Sequence, residues 1–268
     1  MSLLSKIGQI LSKPRDIWRT DPYELTWKVH AALSAGNFPA ARDAATIALS
    51  RRSEFTDPGV VEFLLDAVGS SWLHTGDYAA GIAYFDECIR AYPNDAAAYR
   101  IRAALRWYND QLDAAVQDYA QSDLLAPYNF NTLSGYGQAL AEIGRSQEAL
   151  STLDAAIAVI SSLPPSAVVA VGQFRRAIHA FALNGKGVAL GATGDSVGAL
   201  KAFEESIAMW PDNAWVYFNR AKFFEAGAET DKSLADYKAA LTKADPTLTP
   251  SKRRFAQSRL AARGQSSR

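Results

Sequence analysis

Few residues of this sequence have the types and spacings that could do chemistry. Its three histidines are His30, His74 and His179, and its one cysteine is Cys88. Two histidines and a carboxylate can bind a transition metal, and a thiolate can act as a nucleophile. The sequence contains no glycine-rich phosphate loop, paired-cysteine motif, H-E-x-x-H or nucleophile elbow. We therefore expect no catalytic residues, no cofactor and no enzymatic activity.

Composition narrows the classes of partner. Lys and Arg together number 28, as do Asp and Glu, and 49% of the 268 residues are hydrophobic. A folded chain with balanced charge has no global field that attracts nucleic acid or a membrane, so neither is expected as a partner. A single cysteine excludes an internal disulfide and is typical of a reducing compartment. No apolar run reaches the roughly 18 residues of a spanning helix, and the N-terminus lacks signal-peptide features. These features predict a cytoplasmic protein.

The elements that position these residues follow a repeating pattern. Small and large apolar residues alternate within 180–213: Gly187, Leu190, Ala199, Phe203 and Ser206. Residues of similar size stand 34 positions later: Ala221, Phe224, Ser233, Tyr237 and Ala240. Small residues suit the places where two helices touch, and large ones fill the space between them. The pattern resembles the tetratricopeptide repeat (TPR), a helix–turn–helix unit of 34 residues.

The resemblance covers residues 22–247 and predicts six repeats. Their ranges are 22–55, 62–95, 96–129, 130–163, 180–213 and 214–247. A link at 56–61 and a helical insertion at 164–179 interrupt the array. We expect an amphipathic helix and linker at 1–21 and a basic C-terminal helix or tail at 248–268. The family fold is all-α: an α-solenoid in which antiparallel helix pairs form a right-handed superhelix.

In this family the first helices of the repeats line a concave groove that binds peptides. The corresponding positions of the first two repeats include Thr26, His30 and Phe63. Eight groove residues are our candidate partner-binding site: Arg100, Trp107, Tyr108, Asn131, Gln138, Glu142, Asn184 and Lys222. Trp, Tyr and Arg concentrate binding energy, so the main anchor is expected in the third and fourth repeats. An alternative is that Trp107 packs in the core.

The resemblance implies a non-enzymatic scaffold or adaptor for a protein or peptide partner. Some relatives clamp the C-terminal carboxylates of heat-shock chaperones with basic and amide side chains. Here Ala104 and Gly135 stand where that clamp needs asparagines. We therefore expect a groove for an extended or helical peptide rather than a chaperone adaptor.

Four alternatives stay open. His30, His74 and Asp66 fall on groove positions and could form a metal site, although ordinary groove-wall roles are favoured, so we predict no metal. The segment 167–181 carries an apolar stripe on a helix extended by roughly four turns, which a second copy could cover as a homodimer. The basic tail caps the last repeat or docks on an anionic surface. The N-terminal helix packs on the first repeat, or contacts a partner or a membrane weakly.

Overall fold

The computed structural model describes residues 21–163, 172–243 and 248–266. Those residues form thirteen α-helices and no strand, so the predicted all-α fold is confirmed. The helices are α1 (Pro22–Ser34), α2 (Phe38–Leu49), α3 (Pro58–Thr75), α4 (Tyr78–Ala91), α5 (Ala96–Tyr108), α6 (Leu112–Leu125), α7 (Phe130–Glu142), α8 (Ser146–Ser162), α9 (Gly172–Ala192), α10 (Ser196–Met209), α11 (Ala214–Ala226), α12 (Thr230–Thr242) and α13 (Pro250–Ser266).

Short polar side chains begin many of these helices. Asp77 and Asp195 accept hydrogen bonds from the backbone N–H groups three residues later and so cap α4 and α10. The preceding glycines, Gly76 and Gly194, have φ angles of 73° and 90°, which a residue with a Cβ rarely adopts. A left-handed glycine followed by a capping aspartate therefore ends one helix and starts the next within three residues.

The helices form two compact units, α1–α6 and α7–α13. Within the first unit, α1, α3 and α5 are the first helices of successive repeats and lie side by side. The second unit places α7, α9 and α11 in the same way. Each of these helices also packs against the second helix of its own or the preceding repeat. This arrangement puts the candidate groove residues of each unit on neighbouring helices.

Glycine at the eighth repeat position permits this close packing. A Cβ on Gly69 would lie 2.3 Å from Ile101 Cγ2, and one on Gly187 would lie 2.6 Å from Phe203 Cε1. Real Cβ atoms are not found this close to another heavy atom, so a large side chain of a neighbouring helix occupies the space that a larger residue would need. The expectation that small residues mark the helix contacts is confirmed here.

One segment differs from what the sequence suggested, and a second agrees with it as far as the structure describes it. The helix α3 begins at Pro58, so most of the link predicted at 56–61 is helical, with Asp57 as the N-cap. The helix α9 has 21 residues, against 13 for α7 and for α11. Its described part therefore extends about two turns beyond its neighbours, while 164–171, where the predicted extension would continue, lies outside the described residues.

A terminal helix is predicted near each end of the chain. The amphipathic helix predicted within 1–21 lies outside the described residues, which begin at Asp21. At the other end, α13 begins at Pro250, within the basic helix or tail predicted at 248–268, and Leu248 and Ala256 are buried. In the described parts of the chain, every helix is too short or too polar to cross a bilayer.

Candidate functional site

The eight predicted groove residues are distributed over both units and differ in exposure. The first unit holds three of them on α5, and the second unit holds five on α7, α9 and α11. Lys222 is exposed, and Tyr108, Asn131 and Glu142 are partly buried. In contrast, Trp107 is 4% exposed, and Gln138 and Asn184 are fully buried. The buried members have little surface to offer a partner.

Arg100 is held by carboxylates of the preceding repeat. Its guanidinium donates to Asp66 Oδ1 at 2.9 Å and to Oδ2 at 3.3 Å. A further bond of 2.9 Å reaches Glu62 Oε1. The Arg100 side chain is 11% exposed, whereas both carboxylates keep about two fifths of their surface. Arg100 therefore joins α3 to α5, and most of its donor capacity is already used.

Aromatic contacts surround the end of α5. Tyr108 stacks on Tyr78, the first residue of α4, with ring centroids 5.8 Å apart. The Trp107 ring meets Tyr108 edge-on at 4.9 Å. The burial of Trp107 agrees with the alternative in which this residue packs in the core. Tyr108 is thus the member of the pair with surface available to a partner.

A buried amide network joins the first helices of the second unit. Asn219 Nδ2 donates to Asn184 Oδ1, and Asn184 Nδ2 donates to Gln138 Oε1, each at 3.2 Å. Gln138 Nε2 in turn donates to Glu142 Oε1 at 3.2 Å. Hydrogen bonds of this kind are required because an unpaired buried amide costs about 1–3 kcal/mol. The network orders α7, α9 and α11, and Asn219 is a member that sequence reasoning missed.

An exposed cleft lies between α1 and α3 in the first unit. It has a volume of about 390 Å³ and is lined by Thr26, Trp27, His30, Asp57, Gly59, Val60 and Phe63. Trp27 is 74% exposed, and its ring lies edge-on to His30 at 6.4 Å. Sequence reasoning placed Thr26, His30 and Phe63 on the groove wall but missed Trp27. The sequence could have indicated Trp27, because this residue directly follows the groove position Thr26.

The histidines and the cysteine have structural neighbours. His74 stacks on Phe38 at 3.8 Å, and its Nδ1 lies 2.8 Å from the carbonyl oxygen of Ser70. Among the described residues, no three His, Cys, Asp or Glu side chains come together as metal ligands. Burial raises the pKa of the Cys88 thiol to about 12, which disfavours the nucleophilic thiolate. These contacts agree with groove-wall and core roles.

The basic C-terminal helix contributes side chains to the second unit. Lys252 Nζ lies 3.1 Å from Glu142 Oε2, and Arg259 Nη2 lies 2.5 Å from Glu225 Oε1. Arg253 Nε donates to the carbonyl oxygen of Leu248 at 3.1 Å. Part of the positive charge of the tail is therefore balanced within the chain.

Known proteins share the sequence pattern and the helical arrangement. The family model of the tetratricopeptide repeat matches residues 28–96 and 184–248, half of the chain. Protein FlbA of Caulobacter vibrioides is 26% identical over 167 residues, which are 62% of this chain and 25% of FlbA. The chain thus matches about a quarter of the length of that relative.

Solved structures support the fold. A tetratricopeptide repeat protein of Parabacteroides merdae is 16% identical, with a TM-score of 0.50 over 90% of this chain and 97% of that one. A thermophilic TPR protein of Thermus thermophilus is 17% identical, with a TM-score of 0.51 over 75% of this chain and 99% of that one. At such low identity the similarity indicates a shared fold only.

Proposed function

From the premise that the chain belongs to the tetratricopeptide repeat family, we propose that it is a non-enzymatic adaptor for a protein or peptide partner. Stacked helix pairs leave a face of first helices in each unit, and peptides bind such faces in helical or extended form. The proposal includes the cytoplasmic location expected from the balanced charge and the single cysteine.

The observation that carries this proposal is the exposed cleft around Trp27. A tryptophan that is 74% exposed leaves a large apolar surface in water, and Val60 and Phe63 extend that surface across the cleft. Tryptophan is among the residues in which binding energy concentrates. The Asp57 carboxylate, whose Oδ1 accepts the N-cap hydrogen bond of α3, also lines the cleft and is proposed as an acceptor for a backbone N–H group of a bound segment.

Seven of the eight predicted groove residues divide into two roles in this proposal, and the eighth, Glu142, pairs with Lys252 of α13. Tyr108, Asn131 and Lys222 keep accessible surface and are proposed as partner contacts. Arg100, Trp107, Gln138 and Asn184 are more deeply buried and are proposed to hold the first helices in place. The partner's anchor is therefore proposed to lie at the Trp27 cleft rather than at Arg100.

Peptide display on the full chain tests the proposal. Peptides enriched from a random library are remeasured by fluorescence anisotropy against the wild type and Trp27→Ala. We expect Trp27→Ala to weaken binding about 30-fold, the effect of losing a hot spot worth ~2 kcal/mol. Leu124→Ala is the matched control, because Leu124 is equally exposed in the same unit. Equal effects of the two substitutions, or no enriched peptide, would contradict the proposal.

Self-association through the 167–181 stripe is the second candidate. Phe174 is 51% exposed on the extended part of α9, which favours a covering surface there. Sedimentation of the wild type and Phe174→Asp over a range of concentrations tests it. A dimer that the substitution dissociates supports this function, whereas a wild-type monomer at high micromolar concentration excludes it.

A further inference from the structure

In the second unit, the chain's own helix α13 lies on a face formed by Glu142 of α7 and by Trp215, Phe218 and Glu225 of α11. Lys252 Nζ lies 3.1 Å from Glu142 Oε2 and 4.0 Å from the ring centroid of Trp215. The Lys252 and Glu142 side chains are only 17% and 13% exposed, so water screens this pair poorly. One lysine therefore satisfies a carboxylate of α7 and covers an aromatic ring of α11.

Two more side chains of α13 continue the same contact. The Phe255 ring lies edge-on to Phe218 and Tyr237, with centroids 5.9 and 6.0 Å apart. Arg259 pairs with Glu225, whose other oxygen accepts a bond of 2.8 Å from the Tyr237 hydroxyl. Residues 252, 255 and 259 are spaced i, i+3 and i+7, which places them on one face of a helix.

The aromatic side chains of the receiving face are almost fully buried, whereas those of α13 that contact it remain partly exposed. Trp215 and Phe218 are 1% and 4% exposed beneath α13. On α13, Phe255 remains 39% exposed and Arg259 47%. A helix with larger apolar side chains at these positions would remove more apolar surface from water.

We propose that this face is a receptor for a basic amphipathic helix of a partner protein, and that α13 occupies it as a replaceable internal ligand. The partner helix carries a cation for Glu142, an aromatic or large aliphatic side chain three residues later, and a cation for Glu225. This inference deepens the proposed function by naming the partner class of the second unit. Because α13 is tethered, its effective concentration is about millimolar, and a free helix must compete with it.

The test uses the full chain and a labelled synthetic peptide of residues 249–266. In the variant Lys252→Ala/Phe255→Ala/Arg259→Glu, two truncations and one charge reversal release α13 while the chain stays complete, and no acidic residue at 252 is left to pair with a lysine at 142. Fluorescence anisotropy is expected to show micromolar binding of the peptide to this variant and at least 10-fold weaker binding to the wild type. A peptide of the same composition in scrambled order is expected to bind neither protein.

A charge exchange locates the binding site. Adding Glu142→Lys to the released variant should abolish binding of the native peptide. A peptide carrying Lys252→Glu should then bind that variant better than the native peptide does. A folded released variant that binds no peptide would overturn the proposal. Binding that Glu142→Lys leaves unchanged would also overturn it, because the peptide would then occupy another surface.

Hydrogen exchange of the wild-type chain tests the proposal even if the released variant does not fold. A replaceable helix must open locally, so the amides of α13 should exchange at least 100-fold faster than those of α11 and α12. Exchange of α13 only together with α11 and α12 would show a permanent cap and overturn the proposal. The Trp27 experiment is independent of these outcomes, because it probes a cleft of the first unit.

Discussion

Arg100 and Asp66, which occupy the fifth position of successive repeats, form a bidentate ion pair. The guanidinium donates to both carboxylate oxygens, at 2.9 and 3.3 Å, from a side chain that is 11% exposed. The sequence analysis placed Arg100 in the partner-binding groove, where its main contacts would be with a partner. This geometry leads to a different expectation.

Replacing Arg100 by Met should therefore destabilise the fold. Breaking a buried ion pair costs about 3–5 kcal/mol, but Asp66 is 38% exposed and regains water, so we expect about 1–2 kcal/mol. Urea unfolding measures the change. Arg90→Met is the control, because the Arg90 side chain, which pairs with Glu87 on the same helix, is 69% exposed and should contribute much less. Equal stability of Arg100→Met and the wild type would show that the pair is not structural.

Gly187→Ala should destabilise the second unit. The added Cβ would lie 2.6 Å from Phe203 Cε1, and Phe203 is fully buried and cannot move away freely. Overpacking costs about 1–3 kcal/mol, whereas alanine gains about 1 kcal/mol in helix propensity, so we expect a net loss near 1 kcal/mol. Thermal unfolding measures it.

A control glycine and a compensating change test the cause of that loss. Gly227 has φ −82°, and the nearest neighbouring atom would be 3.6 Å from a new Cβ, so Gly227→Ala should change stability by less than about 0.5 kcal/mol. Phe203→Leu should lower the free energy of unfolding less in the Gly187→Ala background than in the wild type, because the smaller side chain makes room for the new Cβ. Additive losses would mean that the two residues do not compete for space.

Asp118 should be more sensitive to substitution than most charged residues. It is 4% exposed and accepts bonds of 2.8 and 2.6 Å from Arg102 and of 2.7 Å from Arg106. Asp118→Asn would keep the shape but leave two partly buried guanidinium groups underpaired, at a cost of about 2–3 kcal/mol. Urea unfolding measures this cost. Asp113→Asn, at an exposed site on α6, is the matched control and should be nearly neutral.

An arginine–aspartate pair equivalent to Arg102–Asp118 recurs in the second unit, and the spacing of these residues in the sequence could have indicated it. Arg102 and Asp118 occupy positions 7 and 23 of the third repeat, and Arg220 and Asp236 occupy the same positions of the sixth. Size matching at a 34-residue period found the helix contacts because packing depends directly on volume, as at Gly187 and Phe203. Charges 16 residues apart did not stand out, since charged residues on helices usually face solvent.

Burial at the candidate site was harder to predict for a physical reason. The repeat register places Gln138 and Asn184 on first helices, but the distance between neighbouring helices decides whether such amides meet each other or a ligand. Similarly, the Asp57–Pro58 pair suits a turn as well as a helix start, and the apolar residues that follow Pro58 decide for the helix. These choices depend on tertiary packing, which a local pattern does not specify.

Stability should decrease as the pH falls below the ordinary histidine pKa, through His179. Burial lowers the pKa of this imidazole from its usual 6.5; nearby Arg175 acts in the same direction and Glu205 opposes them. The unfolded chain then binds more protons than the folded one, so the free energy of unfolding rises with pH in this window. The contribution of His179 is complete above pH 6.5 and is lost as the pH falls through the folded-state pKa. Thermal unfolding is measured between pH 7.5 and about 5, a range that lies above the pKa of most carboxylates. The unfolding temperature should depend less on pH for His179→Gln than for the wild type.

An NMR titration of the His179 ring protons tests the cause directly. Because the Glu205 carboxylate favours the charged imidazole, Glu205→Gln should lower the pKa of His179 further. Glu204→Gln is the matched control: it removes a neighbouring carboxylate that is also exposed, and we expect it to shift that pKa less. If His179 titrates at or above its ordinary value in the folded chain, burial does not govern it, and the expected loss of stability in mild acid must have another source.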